Sequence, residues 1–189
     1  MIFAGRLDQY SNRDGLLNFL STAWPLVCGM HPDVTFHVVG SNPPDEVVRM
    51  AAADSRIRVH GFVPDVRPLF QASTVAICPI RDGGGTRIKI LDALAQGMPI
   101  VSTSIGCEGI AVTPEQDALI ADSPTTFATA IGRVFDDADL RGRLAVHARR
   151  LAERLYSWEA LAKQLSTHYH EVTRSHQPMR ALERVASQS

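Results

Sequence analysis

Residues 79–101 read PIRDGGGTRIKILDALAQGMPIV. An apolar stretch over residues 74–79 predicts a buried strand, and it runs into Gly83, Gly84, Gly85 and Thr86. A strong helical pattern follows to Ala95, closed by Gly97, and a second short strand is expected over residues 99–102. Strand, glycine run, helix and strand in that order make a crossover unit, which joins parallel strands. The glycines leave backbone N–H groups free to face a ligand. Thr86 is the expected N-cap, and a helix start offers unpaired donors and the positive end of the dipole to an anion. Arg87 and Lys89 then fall in the first turn, where the dipole disfavours cations. An anion bound at the same place reverses that sign, so this pair of cations behind a glycine loop points to phosphate. Asp92 lies six residues past Thr86, a helical rise of ~9 Å. It is placed either to accept hydrogen bonds from the vicinal hydroxyls of a bound ribose or to pair with Lys89 at i, i+3.

The flanking sequence repeats the pattern. Residues 2–4 read as a buried strand closed by Gly5, and residues 14–28 as a helix that Pro25 should bend or end. Residues 34–39, VTFHVV, form a clear strand, closed by Gly40 and a turn through Pro44. A helix over 45–53, a strand over 57–59 followed by Gly61-Phe62-Val63, a short helix over 65–71 and a last strand over 119–121 complete the alternation. Helices are expected near 124–135, 138–154 and 157–170, the last with Ser157 as N-cap and Trp158 as an anchor. The predicted fold is α/β, a doubly wound Rossmann-like parallel sheet over residues 1–170, with 171–189 a polar tail. In such sheets ligands bind beyond the C-terminal strand ends, where Gly5, Gly40, Gly61 and the Gly83–Gly85 run stand.

Composition narrows the function. With 19 basic and 20 acidic residues the net charge is −1, which argues against nucleic acid or an anionic membrane as the main partner. Only Lys89 and Lys163 are lysines. Cys28, Cys78 and Cys107 show no zinc or CxxC spacing and read as buried free thiols of a reducing cytosol. No apolar run reaches membrane-span length and no signal peptide is visible. A chain that begins inside a strand reads as a piece of something longer. Asp136-Asp137-Ala138-Asp139 imitates a metal-binding DxD but lies between two helices, where Asp caps and turns the chain. No GxSxG or HExxH occurs, and His168 and His170 point in different directions on a helix.

The glycine-loop segment resembles the donor-binding motif of the family-4 retaining glycosyltransferases with the GT-B fold, in the branch reading GGGTRLKILEAMAxGxPVVST. The likeness extends to FAGRLDQYSNRDGLLNFLSTAWPLV, FHVVGSNPP, VHGFVPDVRPLFQASTVAICPIRDGGGTRIKILDALAQGMPIVST, SIGCEGI and YSWEAL, covering roughly residues 1–165. The resemblance implies the C-terminal half of a GT-B enzyme. Its donor would be a nucleotide diphosphate-sugar, with no cofactor and no metal. Asp92 then takes the second acidic place of the family's E-x7-E motif, on the ribose hydroxyls. The first acidic place falls on Gly84, so that carboxylate is absent. Gly5 and Arg6 fall in the loop beside the diphosphate, with Gly83, Gly84, Gly85 and Thr86 opposite. The family's usual lysine after that loop is missing, and Arg13 stands nearest to its place. Arg87 and Lys89 occupy the branch's basic positions, Val63 the place where backbone meets the nucleobase, and Glu108 a loop near the donor.

The resemblance also implies a partner half: an N-terminal acceptor-binding domain, absent from this sequence, toward which the last helix runs, leaving that helix an exposed apolar face. It implies a cytoplasmic location, peripheral to the membrane only through the other half, and little transfer by this chain alone. A sugar-nucleotide epimerase on the same architecture and a non-catalytic nucleotide-binding module are the alternatives. A dinucleotide oxidoreductase is disfavoured, because the first strand is followed by GRLDQY and not GxGxxG.

Overall fold

The computed structural model describes residues 1–175. Six strands form one parallel sheet: β1 (Ile2–Ala4), β2 (Phe36–Val39), β3 (Ile57–Gly61), β4 (Ala76–Cys78), β5 (Ile100–Ser102) and β6 (Leu119–Ile120). Their order is β3-β2-β1-β4-β5-β6, and every pairing is parallel. The helices are α1 (Tyr10–Met30), α2 (Asp45–Ala53), α3 (Arg67–Gln71), α4 (Ile88–Ala95), α5 (Pro124–Asp136), α6 (Ala138–Leu151) and α7 (Trp158–Ser175). The doubly wound Rossmann-like sheet expected from the sequence is therefore the fold. Its order reverses between β1 and β4, which places a crevice beyond their C-terminal ends.

The residues form two compact units, Met1–Ala152 and the segment from Glu153 onward. The core of the first lies between the sheet and α1 and α5. Phe19 of α1 meets Phe36 and Phe127 edge-on at ring-centroid distances of 5.4 and 5.7 Å. Helix α1 continues past Pro25 to Met30, where the sequence suggested that the proline would bend or end it. Pro25 is exposed, while Trp24 and Val27 beside it are buried in the core, so packing on both sides of the proline holds the helix.

Caps set several boundaries. Helix α3 begins at Arg67 and not at residue 65, because Asp65 accepts the Arg67 N–H at 3.0 Å. Ser123 and Thr126 form a capping box ahead of α5. Asp137 accepts the Leu140 N–H at 2.8 Å, so the DxD-like run caps α6, as expected of a turn. Helix α6 stops at Leu151, short of residue 154, where a wide π-helical turn over Ala152–Tyr156 takes over. Ser157 caps the second unit's helix, accepting the Ala160 N–H at 3.1 Å. Trp158 is exposed and not an anchor. Helix α7 continues to Ser175, five residues into the stretch expected to be a tail; 176–189 lie outside the described residues.

Candidate functional site

The site begins where β1 and β2 end. Beyond Ala4 the chain turns at Gly5, whose N–H donates to the Val39 carbonyl at 3.0 Å, and Gly40 donates to the Gly61 carbonyl at 2.8 Å. A Cβ on Gly40 would fall on the Gly5 carbonyl oxygen, and one on Gly5 would lie 2.9 Å from Lys89 Nζ. Glycine at these positions is thus a matter of room: two strand ends and an incoming ammonium share the space.

The second wall is the stretch from β4 to α4. Gly83 and Gly85 have φ of 104° and 89°, which L side chains rarely adopt. Thr86 is not the N-cap. The helix begins at Ile88, Arg87 holds the cap position, and no side chain caps it. The cause is Arg87 itself, which folds back on the loop. Its Nη1 donates to the Gly84 carbonyl at 3.0 Å and its Nη2 to the Gly83 carbonyl. Arg87 is 7% exposed, and its Nε is buried without a hydrogen-bond partner. It braces the loop from within, and those bonds direct its guanidinium toward loop carbonyls.

Lys89, in the first turn of α4, reaches across to the β1 turn. Its Nζ donates to Asn12 Oδ1 and stands 4.1 Å from the centroid of the Phe3 ring. Burial lowers its pKa from 10.5 to about 8; the Arg87 charge pushes the same way and Cys78 opposes. Asp92 lies one turn further on, and its carboxyl is pushed up from the usual range by desolvation in the cleft. Lys89 bonds to Asn12, and Asp92 has no side-chain partner among the described residues, so the i, i+3 pair is not formed.

These groups line one cleft of about 450 Å³. It brings together Gly5, Arg6, Gly84, Gly85, Thr86, Arg87, Lys89 and Asp92 of the residues expected from sequence. Arg6 is well exposed there and paired with Asp8 at 3.0 Å. Four expected residues are not in the lining: Arg13, which pairs with Glu46 at 2.6 Å, Gly83, Val63 and Glu108. Sequence reasoning missed Ala4, Gln9, Asn12, Val66 and Ile88, which do line it. Asn12 carried no signal, since one polar residue in a first helical turn reads as solvated surface. A second cavity of about 450 Å³, lined by Met1, His31, His37 and Phe135 among others, lies at the opposite, N-terminal strand ends. The crevice rule for parallel sheets favours the glycine-walled cleft. Among the described residues no group of three His, Cys, Asp or Glu is placed to hold a metal ion, and no helix is long and apolar enough to cross a membrane.

Comparisons with known proteins agree with the fold. YtcC of Bacillus subtilis (strain 168) is 28% identical over 187 residues, covering 91% of this chain and 45% of that protein. The D-inositol 3-phosphate glycosyltransferase of Salinispora tropica is 28% identical over 191 residues, covering 92% of this chain and 38% of that protein. The chain thus spans less than half the length of these relatives. Among solved structures, Anabaena Alr3699/HepE in complex with UDP and glucose superposes with a TM-score of 0.71 at 17% identity, over 89% of this chain and 48% of that one. The C-terminal domain of the group 1 glycosyl transferase LpcC from Francisella tularensis superposes with a TM-score of 0.66 at 18% identity, over 83% of this chain and 86% of that one. Residues 1–137 match the family described as Glycosyl transferases group 1, and the chain belongs to that family.

Proposed function

We propose that this chain is the donor-binding half of a retaining glycosyltransferase, taking a nucleotide diphosphate-sugar in the glycine-walled cleft. The observation that carries this reading is the convergence of the Gly5 turn, the Gly84–Gly85 backbone, the Lys89 ammonium and the free Asp92 carboxylate on one cleft. The diphosphate would lie between the Gly5 turn and the start of α4, with Lys89 countering the charge that builds on the leaving group. Asp92 would accept hydrogen bonds from the ribose. Arg6 would add positive potential at the mouth on leaving its ion pair with Asp8, and these roles call on no metal or cofactor. The bound UDP in the HepE structure supports the reading by likeness of fold.

The acceptor and the groups that orient it would come from an N-terminal half. Two facts support this: the chain covers 45% and 38% of its relatives, and α7 carries exposed Trp158, Leu161, Leu165 and Tyr169 at helical spacing. The free thiols of Cys78 and Cys107 fit a cytoplasmic setting. Calorimetric titration of the purified chain with UDP, GDP, ADP and NAD tests the proposal. Saturable binding of a nucleoside diphosphate, weakened at least tenfold in Lys89→Ala and Asp92→Ala, is expected, with little sugar transfer by the chain alone. Binding of NAD only would refute it.

A further inference from the structure

Asn12 is nearly buried, at 6% exposure, in the first turn of α1. Its side chain joins both walls of the cleft. Nδ2 donates to the Arg6 carbonyl at 2.8 Å and to Gln9 Oε1 at 3.2 Å, and Oδ1 accepts from Lys89 Nζ. Every hydrogen-bonding atom of the amide is thus engaged across three elements: the β1 turn, α1 and α4. We propose that Asn12 is a positioning residue of the diphosphate site, holding the Lys89 ammonium at the Gly5 turn where it meets the anion. The proposal rests on the cleft being the diphosphate site, and it assigns to α1 a part in anion binding that its own sequence pattern does not reveal.

The physical argument is one of freedom and charge. Lysine carries a compact charge on a flexible four-carbon stem and loses much rotamer freedom when it must point at one place. Phe3 supplies a ring face beneath the ammonium, which attracts it without fixing its direction. Asn12 Oδ1 is the hydrogen-bond acceptor that fixes it. A neutral amide suits this role better than a carboxylate. It orients the ammonium without neutralising it, so positive charge remains for the ligand. The other charged or titratable groups around Lys89 are Arg87 at the N-cap of α4, Asp92 on α4, Cys78 on β4 and Arg6 in the β1 turn. Lys89 releases its proton near pH 8 in the ligand-free chain, so anion affinity should fall above that pH.

The test measures UDP affinity of the full chain by calorimetry from about pH 6 to 10, for wild type, Asn12→Ala and Asn12→Asp. For wild type, affinity should be level between about pH 7, above which the terminal phosphate of UDP is fully ionised, and about pH 8, and then fall up to tenfold per pH unit. Removing the acceptor disfavours the charged lysine, so Asn12→Ala should bind ~10-fold more weakly at neutral pH and start its decline at lower pH. Asn12→Asp supplies an ion-pair partner, so it should also bind more weakly but start its decline at higher pH. Opposite displacement of the two pH limbs is the expected result, because a purely structural role for Asn12 would lower affinity without moving either. The Lys89 side-chain resonances, titrated by NMR in the ligand-free variants, should show the same order of midpoints and supply the answer where a variant binds too weakly to titrate. Limbs and midpoints that stay at the wild-type pH overturn the role of Asn12 while leaving the site in place. A wild-type chain that binds neither UDP, GDP nor ADP overturns the site and this inference with it.

Discussion

Replacing Lys89 with Met measures the cost of burying its ammonium. An ordinary lysine titrates at 10.5, whereas Lys89 titrates at about 8 in the folded chain, chiefly through burial. Between those values the unfolded chain holds a proton that the folded chain has released. Stability therefore rises with pH through that window, and least of it is present below pH 8. From the two pKa values, the Lys89 contribution to the stability of folding should grow by about 2 kcal/mol between pH 7 and pH 9.5. Cys78 and Cys107, whose thiols are pushed up by burial, act in the opposite sense; Cys107 does so in both proteins, and Cys78 differs between them only by losing its attraction to the Lys89 charge. Methionine has a similar shape and no proton to lose, so the wild type minus Lys89→Met difference reports the lysine together with its coupling to Cys78. Urea unfolding at the two pH values is the assay. With a slope near 2 kcal/mol/M, the wild-type midpoint should move upward by about 1 M relative to the variant. The variant should be the more stable protein at pH 7 if desolvation outweighs the lost Asn12 bond, and it should bind nucleoside diphosphate poorly at every pH. A difference between the two proteins that stays constant with pH would show that Lys89 titrates as an exposed lysine, and a desolvated ammonium at the centre of the cleft would be refuted.

Three further outcomes follow from the geometry. Gly40→Ala places a Cβ on the Gly5 carbonyl oxygen. It should destabilise the fold by more than about 2 kcal/mol in urea unfolding and abolish UDP binding, whereas Gly84→Ala, whose Cβ would meet nothing within 4 Å, should leave stability unchanged. Arg87→Lys keeps the charge but replaces the rigid planar fork that spans the Gly83 and Gly84 carbonyls with a point charge on a flexible stem. If Arg87 braces the loop, UDP affinity should drop ~10-fold and amide exchange at Gly83–Gly85 should speed up; undisturbed exchange would argue against the brace. Asp54, held down to about 2 by Arg56 and helped by the Trp24 indole N–H at 3.0 Å, stabilises the fold above its ordinary value of 3.8. That contribution should be lost as pH falls from about 4 toward 2, so Asp54→Asn should flatten the acid limb of a Trp fluorescence unfolding curve over the same range.

Strands β1, β2 and β3 were legible because glycine closes each of them, and glycine at a strand end needs no tertiary context to be recognised; β4, β5 and β6 were legible as short apolar runs. Where reading failed, tertiary packing outweighed a local rule. Pro25 should end a helix, yet Trp24 and Val27 beside it are both core residues and keep α1 continuous. Trp158 looked like an anchor because of its size, and whether such a residue is buried depends on surfaces its own sequence does not describe.

Eight of the residues that the sequence singled out line one cleft, and what the sequence did not show is how they divide the work there. Two cations in one helical turn pointed to an anion, because the dipole otherwise opposes both. Residues two apart on a helix do not share a face, however, and the structure gives each cation a different task. Arg87 turns back and is held by two glycine carbonyls, which is why Thr86 loses the cap position and why the loop keeps its left-handed glycines. Lys89 crosses the cleft to a residue 77 positions earlier in the chain, a distance no local pattern spans. That contact is what joins the glycine loop and the β1 turn, each recognisable in the sequence by its glycines, across one cleft. The sequence displayed the two halves of the cleft; their joint, Asn12 with Lys89, exists only once β1 and β4 are neighbours in the sheet.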